Sequence, residues 1–287
     1  MEDVLARAAA GFDAGFGPMV PDADILRSGR VPVDAYLSPD RFARETEIFR
    51  HVWLNVAVDS EIPHVGDWIV RDVEAASASI LIVRGQGGAI RAFHNVCAHR
   101  ALKLVWGESG CDRRFVCPYH AWTYDAEGRL TGVPDRAAFP DLDVASSGLV
   151  PVAIEVWKGL VFINLDPAPR QTLAQFLGGI VGLLEDKPLD KFRYTARLTG
   201  TVPSNWKAGL DAASEAYHIQ ALHRDSAKDM VCSRENPHAH FLSIDFHGPH
   251  RRMSNPRNPA FALSPGKPIQ KLIFESIPQV VVAGDDP

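Results

Sequence analysis

The sequence has no apolar run approaching the ~18 residues that a membrane span needs, so a spanning helix is not expected. It has no cluster of Lys and Arg either. Thirty basic and 35 acidic residues leave a net charge of −5, a balance that excludes the electrostatic footprint of a nucleic-acid binder. The amino terminus, Met1-Glu2-Asp3-Val4, lacks the positive charge of a secretory signal, and the expected location is the cytoplasm. Cysteine is scarce, four in 287 residues. In a reducing compartment Cys111 and Cys232 are expected to be free thiols. Disorder is not indicated, because 46% hydrophobic residues over this length suffice for two domains with their own cores.

The other two cysteines fall in a dense pattern: Cys97-Ala98-His99, then residues 100–116, then Cys117-Pro118-Tyr119-His120. Two thiolates and two imidazoles, delivered as C-x-H and C-x-x-H, make a four-ligand site of mixed softness for zinc or an iron–sulfur cluster. Ligand order separates the two. A zinc finger of this ligand set usually gives C-x-x-C first, whereas here each segment carries one Cys and one His, which suits a two-iron cluster.

Around this pattern the chain divides into three. Residues 1–37 are punctuated by Gly15, Gly17, Pro18, Pro21 and Pro32 and read as an irregular arm after a possible short helix at 3–10. Ser38-Pro39-Asp40 opens a helix to about residue 52, with Phe42, Phe49 and Trp53 at helical spacing on a core-facing stripe. Short β-type runs follow at 54–58, 68–71, 80–84, 90–94, 114–117, 122–124, 150–156 and 160–164. Residues 38–166 are therefore expected to form a small antiparallel β domain, with Asp166-Pro167-Ala168-Pro169 as its exit linker. A second domain, 167–287, begins with a helix at 172–184, a strand at 197–202 and a helix at 206–221.

That last helix carries a second constellation. Asp211, Glu215 and His218 lie at i, i+4 and i+7, one face of a helix. His223, five residues beyond His218, falls ~140° away, so the two imidazoles share one metal only if the helix ends or bulges between them. His238, His240, His247 and His250 read as ordinary strand or loop histidines. Phe241, Leu242, Ile244 and Phe246 could line a pocket or simply alternate along a strand.

Asn95-Val96-Cys97-Ala98-His99-Arg100 and Cys117-Pro118-Tyr119-His120-Ala121-Trp122-Thr123-Tyr124 resemble the Rieske loops of bacterial non-heme iron oxygenases. Asn205-Trp206-Lys207 followed by Glu215, Tyr217, His218 and His223 is similar to the mononuclear-iron motif of the large (alpha) subunit of that family, aromatic ring-hydroxylating oxygenases among them. Respiratory Rieske proteins add a disulfide between their loops. The corresponding positions here are Leu102 and Tyr119, so that branch is excluded.

The resemblance implies an α+β chain: a Rieske [2Fe–2S] domain and a helix-grip catalytic domain with antiparallel sheet and helices. It implies that Cys97, His99, Cys117 and His120 hold the cluster and that His218 and His223 hold Fe(II). Glu215 would bridge to a Rieske histidine of a neighbouring subunit, and Asp211 is a candidate acceptor for His218. It further implies a reductase or ferredoxin donor drawing on NAD(P)H, a homotrimer or alpha/beta hexamer, and O2-dependent hydroxylation or demethylation of a hydrophobic, aromatic substrate. The family's carboxylate ligand comes far downstream of the histidines, whereas 64 residues follow His223. The acids there are Asp225, Asp229, Glu235, Asp245, Glu275, Asp285 and Asp286, and the expectation is an incomplete catalytic domain with poor oxygenation. The alternatives are an electron-transfer Rieske protein without oxygenase activity and a zinc-stabilised binding module.

Overall fold

The computed structural model describes residues 30–191, 193, 197 and 199–262. The expected helix at 3–10 and the acids Glu275, Asp285 and Asp286 lie outside the described residues. Two compact units result, one reaching Thr201 and one beginning at Val202.

The first unit opens with α1 (Asp34–Leu37) and α2 (Pro39–His51). Ser38 Oγ accepts from the Arg41 amide at 3.2 Å, proline occupies the first turn, and Arg50 and His51 sit in the last, as capping and the helix dipole favour. The expected apolar stripe is only partly inward. Trp53 is buried, but Phe42 is 48% exposed and Glu45 takes the inward position.

Beyond it lie β1 (Leu54–Val58), β2 (Asp67–Val73), β3 (Ala78–Arg84), β4 (Ile90–His94), β5 (Ser109–Cys111), β9 (Pro151–Trp157) and β10 (Leu160–Asn164). They form one antiparallel sheet in the order β1-β10-β9-β4-β3-β2-β5. A second sheet holds β6 (Arg114–Val116), β7 (Thr123–Asp125) and β8 (Leu130–Gly132). Every strand read between residues 54 and 164 is present, and the three-residue β5 and β8 are additional. Strand β3 is buried on both faces: Ile80 and Ile82 join Ile69, Val161 and Ile163 on one side, while Leu81 and Val83 join Phe93, Trp122 and Tyr124 on the other. This second core lies directly beneath the two ligand loops.

The large sheet stays open between β1 and β2. A bulge sets Val56 out of register, and its carbonyl accepts from Arg71 Nε at 3.1 Å and Arg197 Nη2 at 2.8 Å. Arg71 also pairs with the buried Glu61. A groove of about 610 Å³ remains along this seam, walled by β1 and the end of β2.

The single helix expected at 172–184 is two, α3 (Leu173–Leu177) and α4 (Gly179–Leu183), broken where Gly178 takes φ +52°. Thr172 and Gln175 form a capping box at its start. Leu173 and Leu177 pack with Trp53 and Phe162. Residues assigned by sequence to the second domain thus complete the first unit.

In the second unit, α5 (Trp206–Ala212), α6 (Ile219–Leu222) and α7 (Lys228–Val231) precede a hairpin of β11 (Ser243–His247) and β12 (His250–Ser254). The expected strand at 197–202 is not formed among its described residues. Ala216, Cys232 and Ala239 make a small core. Ile244 and Phe246 face outward from the hairpin, 48% and 51% exposed.

Candidate metal centres

The C-x-H and C-x-x-H loops are near copies of each other in backbone. In the first, the Cys97 amide donates to the Leu102 carbonyl at 2.8 Å and the Ala101 amide to the Cys97 carbonyl at 2.9 Å; in the second, Cys117 donates to Trp122 and Ala121 to Cys117 at the same distances. Ala101 and Ala121 both take φ near +55°. Each loop therefore turns on one left-handed alanine, a conformation that costs energy and persists where the surroundings enforce it. Asn95, fully buried, clips the first loop through Val105, accepting from its amide and donating to its carbonyl.

The turns bring the two imidazoles together. Cys97 and Cys117 are buried free thiols, and the rings of His99 and His120 lie 4.7 Å apart. His120 Nδ1 is buried without a hydrogen-bond partner among the described residues. An orphaned imidazole nitrogen beside a second imidazole and two buried thiols fits a metal-ligand set. Burial, then the charges of His120 and Arg100, hold His99 below the ordinary histidine pKa, which keeps the ring neutral as a ligand must be. Both imidazoles are half-buried.

Tyr124, fully buried, touches this site from below. Its hydroxyl accepts from the Ala98 amide at 3.1 Å and lies 3.2 Å from Cys97 Sγ. A metal-ligating Cys97 is a thiolate with no proton to donate, so toward it the phenol is the donor. Burial, then the Cys97 contact, pushes its pKa well up, so the phenol stays protonated. His99 stacks on Trp122 at 4.7 Å and 6°, with Phe139 edge-on at 6.0 Å. Only position in the second ligand loop marks Trp122 and Tyr124 in the sequence. Nothing marks Phe139.

The second constellation is not the single helical face read from the sequence. Helix α5 ends at Ala212, where the Ser214 hydroxyl donates to the Leu210 carbonyl and competes with the helical ladder. Glu215 then lies outside any helix, and its carboxylate accepts from the amides of Tyr217 and His218. His218 and His223 flank the one-turn α6 at its N- and C-caps, with rings 5.2 Å apart. The helix break that joint ligation requires is therefore present.

Glu215 Oε1 engages His218 Nδ1, where Asp211 had been the candidate. That hydrogen bond, followed by the two amides, holds the Glu215 carboxyl below its usual pKa. An ionised carboxylate only accepts, so Nδ1 carries the proton and Nε2 presents its lone pair. Ser226 Oγ lies 3.3 Å from His223 Nδ1 and leaves that ring's Nε2 available as well. Among the described residues no three His, Cys, Asp or Glu side chains gather around one ion. His218 and His223 therefore stand as a pair, with their rings 5.2 Å apart.

Two Cys and two His on a pair of loops, with a separate histidine pair flanking a one-turn helix, are a donor set that a two-iron cluster and a mononuclear ion would take. A family model described as the Rieske [2Fe-2S] domain matches residues 52–151, and one described as the ring hydroxylating alpha subunit (catalytic domain) matches residues 189–270. The carnitine monooxygenase oxygenase subunit of Escherichia coli (strain K12) is 34% identical over 195 residues, 67% of this chain and 52% of that protein. The glycine betaine monooxygenase oxygenase subunit of Chromohalobacter salexigens is 34% identical over 214 residues, 73% of this chain and 47% of that protein. Naphthalene 1,2-dioxygenase from Rhodococcus sp. superposes with a TM-score of 0.67 at 29% identity, over 91% of this chain and 58% of that one. The chain belongs to the Rieske oxygenase alpha-subunit family, whose two domains imply a [2Fe–2S] cluster and a mononuclear iron. It spans about half the length of the curated relatives it matches.

Proposed function

We propose that this chain belongs to the oxygenase component of a Rieske monooxygenase or dioxygenase, an enzyme that oxidises a small organic substrate with O2. The observation that carries the reading is the quartet: two buried thiols and two adjoining imidazoles, one with an orphaned buried nitrogen. Cys97, His99, Cys117 and His120 hold the cluster, and His218 and His223 hold Fe(II). When bound, these groups supply single electrons and a site for dioxygen.

The chain's own residues do the rest. Tyr124 gives a proton to the Cys97 sulfur in a hydrogen bond, Glu215 fixes the tautomer of His218, and Ser226 steadies His223. Glu215 is also the bridge to a Rieske histidine of a neighbouring subunit, in a homotrimer or alpha/beta hexamer. The electron donor is a reductase or ferredoxin drawing on NAD(P)H. Of the substrate classes named by the relatives, quaternary ammonium compounds suit this chain better than two-ring arenes. A cavity of about 220 Å³ beside Glu215, walled by Tyr217, His238 and Phe241, offers aromatic faces and a carboxylate to a small cation.

Iron and sulfide analysis with EPR tests the assignment. His99→Ala should abolish the Rieske signal, and His223→Ala should lose about one of about three irons per chain while keeping that signal. Unchanged iron in His223→Ala would refute the mononuclear site. Single-turnover assays of the reduced protein with carnitine, glycine betaine, biphenyl and naphthalene test the substrate class, and product from the arenes alone would overturn the cation preference.

A further inference from the structure

The two ligand loops repeat each other in backbone but not in what covers their imidazoles. The residue five after the cysteine closes each loop through its carbonyl, and it is Leu102 in the first and Trp122 in the second. Trp122 is buried and lies flat on His99, at 4.7 Å and 6°. Phe139 stands edge-on to both rings, 6.0 Å from His99 at 88° and 6.0 Å from Trp122 at 83°. This ring comes from outside both loops, on a segment tied to itself: the Arg136 guanidinium donates to the carbonyls of Phe139 and Leu142, and the Leu142 amide donates back to the Phe139 carbonyl. His120 meets a different neighbour, Tyr119, at 3.7 Å and 31°, and Tyr119 is 57% exposed.

Ligating imidazoles are ordinarily oriented by a hydrogen bond to their second nitrogen. Among the described residues none reaches either nitrogen of His99. Within one chain, what fixes its plane is packing, in the offset-stacked and edge-to-face arrangements that aromatic quadrupoles favour. We propose that Trp122 and Phe139 are positioning residues that set the ring plane of His99, so that the two imidazoles are held unequally: His99 in a closed aromatic clamp, His120 against a solvent-facing tyrosine. The inference rests on the metal assignment above and adds to it a function for a segment that carries no ligand.

The test uses the full chain, reconstituted and reduced with dithionite, and reads the two imidazole 14N couplings by pulsed EPR together with the reduction potential. Phe139→Ala and Trp122→Leu should shift or broaden one 14N coupling and move the potential at wild-type iron and sulfide content. Trp122→Phe, which keeps a ring on His99, should restore the wild-type coupling, and Tyr119→Ala should leave the shifted coupling untouched. Should Trp122→Leu fail to assemble, the half-buried Phe139 decides, because its removal opens no deep cavity. Both couplings and the potential unchanged in Phe139→Ala would overturn the clamp alone. A wild-type chain without iron, sulfide and a Rieske signal would overturn the metal assignment, and the clamp with it.

Discussion

Replacing Tyr124 by Phe removes one oxygen and leaves the ring, so the core beneath the loops stays filled. The lost oxygen serves two partners, the Ala98 amide at 3.1 Å and Cys97 Sγ at 3.2 Å. A hydrogen bond to an ionised group is worth about 1.5–3 kcal/mol net. The ligand sulfur is more negative in the reduced state, and if about a third of that strength is gained on reduction, the two oxidation states differ by about 0.5–1 kcal/mol. For a one-electron couple, at 59 mV per tenfold in the equilibrium constant, this is about 20–45 mV. The potential of Tyr124→Phe should therefore fall by about 20–45 mV, since the reduced state loses more. Loss of the bond to the Ala98 amide, which water can reach, should also cost about 0.5–1.5 kcal/mol of stability. Spectroelectrochemical titration followed by circular dichroism and EPR, at wild-type iron and sulfide content, measures the first effect. A potential that is unchanged or higher would refute the proton direction inferred for the phenol.

Two further outcomes follow from the packing. Gly128 takes φ +81°, and a Cβ there would lie 2.3 Å from Phe93 Cε1 and 2.7 Å from its Cζ, so Gly128→Ala should destabilise the first unit by about 2–4 kcal/mol, read as a lower urea midpoint. A midpoint within experimental error of wild type would mean that Phe93 is free to swing aside. His94, half-buried, is held below the ordinary histidine value of 6.5 by burial and then by the charge of Arg50. The unfolded state thus binds its proton first as pH falls, so stability is full above pH 6.5 and is lost as pH drops from there through the folded pKa. His94→Gln should flatten the dependence of the urea midpoint between about pH 7.5 and pH 5, and an unaltered slope would assign that loss to other groups.

Much of the first unit is legible in the sequence because its signals are local. Short apolar runs such as 80–84 and 160–164 become β3 and β10, and Ser38-Pro39 marks the start of α2. The four residues of the quartet stand out by type and spacing alone, and in the fold the two imidazoles lie 4.7 Å apart and both thiols are buried. The break between α5 and α6 is not. Periodicity extends the helix through Glu215, whereas the Ser214 hydroxyl and the Glu215 carboxylate satisfy backbone groups locally and end the ladder. Phe42 illustrates a similar limit, because helical spacing shows that a stripe exists but not which residue of it is covered. Phe139 is hidden for another reason: its partners are 40 and 17 positions away, and only the folded chain brings the rings together.

The open seam between β1 and β2 has a consequence for solution behaviour. An uncovered strand rim is a template on which a second molecule can add a strand, the usual route to sheet-driven aggregation. Here the bulge at Val56 breaks the register that an incoming strand would need, and its carbonyl is already taken by two guanidinium groups. A foreign strand would have to displace Arg71 and Arg197 and leave the Glu61 carboxylate, 6% exposed at its side chain, without its cation. The rim that leaves a groove in the first unit thus also stops the sheet from growing into a second molecule at its β1 edge.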